Sequence, residues 1–157
     1  MGGNIMSWWI SRPQRLQSEI AMMNNKFPQF LLGHAEDDKI IHGYNIISTG
    51  QKYWLGTLKT ISGNEYQIAI VYPTLYPGQE IRAYVIDPKI EQVKHMYGDR
   101  HLCLYSNDHG GKGQGHGSSN TAVTIIGWVS AWLHAYEISM VKGTWPENNY
   151  FIRRKHV

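Results

Sequence analysis

The sequence predicts an α+β domain built from an N-terminal helix, a four-stranded antiparallel meander and a C-terminal helix. Two observations carry this. The apolar period changes from about 3.6 residues to 2 and back again along the chain. Short turn signals, rather than helical crossovers, separate the alternating runs, which favours antiparallel neighbours over a parallel βαβ sheet.

Ser11 with Gln14 reads as a capping box, and Pro13 is tolerated in the first helical turn. Leu16, Ile20 and Met23 then form one apolar stripe, so a helix is predicted from Ser11 to Met23, anchored in front by Trp8-Trp9 and ended by Asn24, Asn25 and Pro28. Phe30 to Leu32 and Ile40 to Ile47 are the first strand candidates. Tyr53 and Leu55 alternate with Trp54, and Tyr66, Ile68 and Ile70 alternate with Gln67, Ala69 and Val71. Ser62-Gly63-Asn64 between these runs is hairpin chemistry. A further strand, Ile81 to Ile86, follows the Tyr76-Pro77-Gly78 turn. From Asn107 to Asn120 five glycines and almost nothing apolar predict a flexible Gly-rich loop. Ile125, Val129, Trp132, Tyr136 and Met140 then recur at helical spacing, with Gly143 placed as a C-cap and Pro146 barring continuation. Of the two tryptophans on or near this stripe, Trp132 is expected to pack in the core.

The 157 residues fit a single domain, 1–157, with a core large enough to need no staples. Composition is 42% hydrophobic and 12% aromatic, and formal charge is +3. That excess is too mild and too dispersed for a nucleic-acid binder, since the one tight basic cluster is Arg153-Arg154-Lys155. A single cysteine excludes an internal disulfide, no apolar run reaches the roughly 18 residues of a membrane span, and Met1 to Ile10 lacks the features of a signal peptide. The expected setting is the reducing cytoplasm, where a lone cysteine persists as a thiol.

That residue, Cys103, lies in His101-Leu102-Cys103-Leu104-Tyr105, between the strands and the Gly-rich stretch. A free cysteine is often simply buried, but one bordering a loop is placed where chemistry concentrates. Gly111-Lys112-Gly113 does not satisfy a phosphate-binding loop, because the glycine spacing is wrong and no Ser or Thr follows the lysine. His101, Cys103, His109 and His116 are ligand types that zinc accepts, but no closely spaced pair pre-organises them, so no metal and no cofactor are expected. Neither a Gly-x-Ser-x-Gly elbow nor a His-Glu-x-x-His helix is present. A cysteine hydrolase pairing Cys103 with a distant histidine stays open.

Order and motif together resemble the ubiquitin-conjugating family. Tyr72-Pro73-Thr74-Leu75-Tyr76-Pro77-Gly78 and the strand after it are similar to that family's Tyr-Pro stretch. His95, eight residues before Cys103, is similar to its His-Pro-Asn turn, and Leu102-Cys103-Leu104 to its cysteine segment. Gly127-Trp128, Trp132-Leu133, Tyr136-Glu137 and Gly143-Thr144-Trp145-Pro146 narrow the likeness to bacterial conjugating-type proteins of anti-phage CBASS operons. The resemblance implies a ubiquitin-conjugating-like fold and a Cys103 nucleophile that carries an acyl group as a thioester. It further implies a cGAS-like nucleotidyltransferase as partner, whose C-terminal tail is the acyl donor, with the acceptor left unnamed. The acyl group is received from another protein or taken from a target directly. Met96 and Tyr97 stand where eukaryotic relatives place Pro and Asn, so the asparagine's role falls to another group. His95, His101 and Asn107 are the candidate supporting residues. A non-catalytic, conjugating-enzyme-like binding module is the other alternative, although such variants generally lack the cysteine.

Overall fold

The computed structural model describes residues 6–91, 93–104 and 120–146. Its elements are α1 (Trp8–Ser11), α2 (Pro13–Lys26), β1 (Leu31–His34), β2 (Lys39–Ile41), β3 (Tyr44–Ile47), β4 (Lys52–Lys59), β5 (Glu65–Val71), β6 (Arg82–Asp87) and α3 (Ala122–Lys142). Strands β1, β4, β5 and β6 form one antiparallel sheet in that order. The helix, four-stranded sheet and helix of the predicted α+β class are all present. Among the described residues no helix is long and apolar enough to cross a membrane.

The stretch Ile40 to Ile47 is not one strand. His42 and Gly43 both take positive φ, 56° and 86°, and turn it into the β2–β3 hairpin. This hairpin covers one face of the sheet, where Ile46 and Ile47 pack with Ala69, Val71 and Tyr84. The opposite face, with Ile68 and Ile70, meets the helices. Strand β5 is therefore buried on both faces, which is why Ala69 and Val71 are as apolar as the residues they alternate with.

The capping box does not form. Ser11 closes the short α1, its Oγ donating to the Trp8 carbonyl at 3.4 Å, and Arg12 occupies the N-cap of α2 without a side-chain bond. Pro13 instead begins the helix, as its fixed φ and missing N–H allow. The helix runs through Asn24 and Asn25 to Lys26, because a modest propensity penalty at two residues is weaker than the barrier at Pro28.

Beside the buried Met23, α2 buries a carboxylate. Glu19 accepts from the hydroxyls of Tyr72 (2.6 Å) and Tyr76 (3.3 Å) and from the N–H of Ala122 (2.9 Å). Trp54 Nε1 donates to the same Tyr72 hydroxyl at 2.8 Å, and Arg15 donates to Tyr76 at 2.9 Å and to the Asn120 carbonyl at 3.3 Å. Burial, reinforced by the Glu19 charge, holds the Tyr72 hydroxyl well above its usual pKa, so it stays a donor. One side chain thus ties α2, the Tyr72–Tyr76 stretch and the start of α3 together. Glu19→Ala strips the Tyr72 hydroxyl and the Ala122 N–H of this acceptor, while the Tyr76 hydroxyl keeps the Asn120 carbonyl at 2.9 Å, and is expected to cost about 2–4 kcal/mol, read as a lower urea midpoint with unchanged slope. Glu19→Gln is expected to recover part of that loss.

Helix α3 begins at Thr121, whose side chain accepts from the Thr124 N–H, and ends at Gly143 in the left-handed region (φ 83°). Ile125, Val129 and Trp132 are fully buried, as the periodicity predicts. Met140 departs from the stripe and is 65% exposed. Glu137, one turn earlier, already reaches the end of the β4–β5 hairpin, accepting from Thr60, Asn64 and Tyr66, each at 2.9 Å. Met140 instead lines an open cleft shared with Ser62, Asn64 and Tyr66.

Candidate active site

Beyond β6 the chain folds into a tight hairpin around a bridge between Met96 and Leu102. The Cys103 N–H donates to the His95 carbonyl at 3.0 Å, and the Tyr97 N–H to the His101 carbonyl at 2.9 Å. Arg100 closes the turn, its N–H donating to the Tyr97 carbonyl at 2.8 Å, with φ at 81°. The Arg100 guanidinium donates to the Ile90 carbonyl and lies over the Tyr44 ring, 5.5 Å from its centroid. These contacts hold a conformation unusual for a residue with a Cβ. Asp99 supports the same turn by accepting from the His101 N–H at 3.0 Å. The Leu102 N–H donates to the Ala83 carbonyl at 2.9 Å, so the second arm of the hairpin is laid against β6.

This register pairs His95 with Cys103 and Tyr97 with His101 on one side of the hairpin, while Met96 and Leu102 are buried in the core. Cys103 is 7% exposed, and its Sγ lies 3.7 Å from the Tyr97 hydroxyl, to which the thiol donates. The Tyr97 ring stacks on the His101 imidazole at 4.2 Å and 19°. His101 Nδ1 is 2.5 Å from Asp99 Oδ1, and Asp99 Oδ2 is 3.1 Å from the Arg82 guanidinium. Four side chains from the turn and one from β6 thereby form a continuous polar line: Cys103, Tyr97, His101, Asp99 and Arg82.

The electrostatics set the protonation of that line. Burial, with the neighbouring Cys103 as hydrogen-bond partner and charge, pushes the Tyr97 hydroxyl up to about 12, so it keeps its proton. Burial draws the His101 imidazole below its usual value, against the opposing pull of Asp99, which favours the neutral ring. Burial acts to raise the Asp99 carboxyl, but the hydrogen bonds from His101 and the charge of Arg82 outweigh it, and Asp99 is held below the usual range. A carboxylate only accepts, so the His101 proton sits on Nδ1 and the lone pair on Nε2.

Of the candidate supporting residues, His101 lies in this line. His95 lies beside it through its backbone: the carbonyl that accepts from Cys103 also accepts from Trp132 Nε1 at 2.9 Å. The His95 ring packs on Trp145 at 4.8 Å, and Trp145 meets Trp132 at 5.4 Å. Asn107, the Gly-rich stretch apart from Asn120, His109, His116 and the basic cluster Arg153-Arg154-Lys155 lie outside the described residues. Among the described residues no group of three or more His, Cys, Asp or Glu side chains is placed to hold a metal ion. Sequence reasoning missed Tyr97, Asp99 and Arg82. The signal for Tyr97 was its position two residues after His95, where the resembled family has its asparagine.

A family model described as Type II CBASS E2 protein matches residues 19–151. A comparison with curated proteins found no match.

Proposed function

Because the chain belongs to the type II CBASS E2 family, we propose that it is an acyl-transfer enzyme in which Cys103 carries the acyl group as a thioester. The observation that carries this reading is the Cys103 thiol seated 3.7 Å from the Tyr97 hydroxyl, on a hairpin pinned to both the sheet and α3. The thiolate is the nucleophilic form of cysteine. When the thiol ionises, the hydrogen bond to Tyr97 inverts, and the retained phenolic proton is donated to sulfur. The thiolate then attacks an activated C-terminal acyl group; the C–S bond forms and the donor's leaving group departs. In the second step an amine attacks the thioester carbonyl, the C–N bond forms and the thiolate is released. Tyr97, in the asparagine's place, supplies the donor for the charge that develops at Cys103 or on the carbonyl oxygen. The proposed acyl donor is the C-terminal tail of a cGAS-like nucleotidyltransferase, and the proposed setting is the cytoplasm.

The test is to mix the protein with that nucleotidyltransferase, carrying an activated C terminus, and to follow intact mass. A one-to-one covalent adduct that small thiols cleave supports the reading. Release of a shortened tail without an adduct assigns a cysteine hydrolase, and tight association without covalent change assigns a binding module. Tyr97→Phe removes only the hydroxyl. It is expected to slow thioester formation about 10- to 100-fold, the worth of a hydrogen bond to a charged group, with an unchanged melting temperature.

A further inference from the structure

Beside the candidate site a cleft of about 680 Å³ runs between the β3 end of the small hairpin, the segment after Pro73 and the near side of β6. Tyr97, Asp99 and His101 of the candidate site are among its lining residues. Tyr97 therefore has two neighbourhoods: its ring, stacked on His101, lines the cleft, and its hydroxyl touches the sulfur of Cys103, which is not itself part of the lining. Glu80 and Asp99 contribute carboxylates to the lining. Arg82, the lining residue that carries a fixed positive charge, pairs with Asp99 at 3.1 Å, so these two charges cancel and Glu80 supplies the lining's negative character. Ile46, Val71 and Ile81 add apolar surface along the wall. An alkyl stem with an ammonium head matches this chemistry better than a carboxylate does.

We infer that this cleft is the path by which the acceptor amine reaches the thioester, and that His101, held by Asp99, takes the proton from that amine. The inference rests on the thioester reading above and assigns its second step. Asp99 fixes the ring and places the proton on Nδ1, which leaves Nε2 as the base. The groups around the imidazole are Asp99 from the turn, Tyr97 from the first hairpin arm, and Tyr84 and Arg82 from β6, and Glu80 lines the same cleft. The ammonium gives its proton to Nε2, and the amine's lone pair attacks the thioester carbonyl. The C–S bond breaks and sulfur leaves as the thiolate beside the Tyr97 hydroxyl, while the imidazolium's proton and the second proton of the attacking nitrogen pass to solvent water. His101 is a catalytic residue in this scheme and Asp99 a positioning residue.

The experiment loads the full chain by exchange with a synthetic peptide α-thioester and follows single-turnover discharge of the purified acyl-enzyme. Two acceptors are compared: free lysine, which is protonated at neutral pH, and hydroxylamine, which is not and needs no base before attack. In His101→Gln, discharge to lysine is expected to fall about 100-fold or more relative to wild type, with discharge to hydroxylamine within about threefold. Asp99→Asn, at a half-exposed turn position, is expected to show the same split with a smaller drop. Equal rates with lysine in His101→Gln and wild type, or an equal fall with both acceptors, overturns the inference and leaves the thioester reading standing. Failure of the wild-type chain to take the acyl group overturns both.

Discussion

Cys103→Ala is expected to abolish conjugation altogether while the chain stays folded. The sequence holds one thiol, so no other side chain can carry a thioester. The structural cost is small: removing one sulfur from a nearly buried site forfeits about 1 kcal/mol. The hairpin around residue 103 is held by backbone bonds to His95 and Ala83 that alanine keeps. The check is paired: circular dichroism melting shows a fold close to wild type, and the conjugation assay shows no product. A wild-type rate in the alanine variant would make Cys103 a packing residue.

Trp132→Ala is expected to have the largest effect on stability. The ring is fully buried, stacks on Tyr136 at 5.6 Å and 8°, and meets Trp145 at 5.4 Å. Truncation removes that packing and leaves a cavity between α3 and the sheet, at a cost of roughly 3–5 kcal/mol, which for a chain of this size lowers the melting temperature by on the order of 10 °C. The indole also donates to the carbonyl of His95, the residue that anchors Cys103. Trp132→Phe therefore separates the two roles. It keeps most of the ring's packing, and its expected signature is a modest loss of stability with a disproportionate loss of acyl transfer. A melting temperature unchanged in the alanine variant would mean that this face of α3 is not core.

The major elements were legible because their signals lie within a few residues of one another. The alternation in β4 and β5, the turn at Ser62-Gly63-Asn64 and the Gly143 cap each follow from local backbone preference. The split of Ile40 to Ile47 was less legible, since it needs His42 at positive φ, and histidine is a weaker turn signal than the glycine beside it. Glu19 was not legible. A glutamate in an amphipathic helix reads as a solvent-facing residue, and its partners Tyr72 and Ala122 lie 53 and 103 positions away. The candidate site divides in the same way. Cys103 and His101 stood out as chemistry-bearing residues in one short segment. Tyr97 and Asp99 acquire their place only when the hairpin closes, and Arg82 only when the hairpin docks on β6. The Gly-Thr-Trp-Pro motif had a physical reason that spacing alone did not reveal: Trp145 packs against the ring of His95.

The central claim is that residue 103 bears the acyl group, and the most direct measurement uses Cys103→Ser. A serine oxyester is less reactive toward amines than a thioester, so it accumulates where the thioester turns over. The variant is co-expressed with the proposed partner, a cGAS-like nucleotidyltransferase, purified, and analysed by intact mass and peptide mapping. The predicted result is an adduct joining the partner's C-terminal residue to residue 103, stable to small thiols and cleaved by hydroxide, where the wild type gives a thiol-sensitive species. A serine variant with no adduct, beside an alanine variant that still joins partner to acceptor at the wild-type rate, would contradict it.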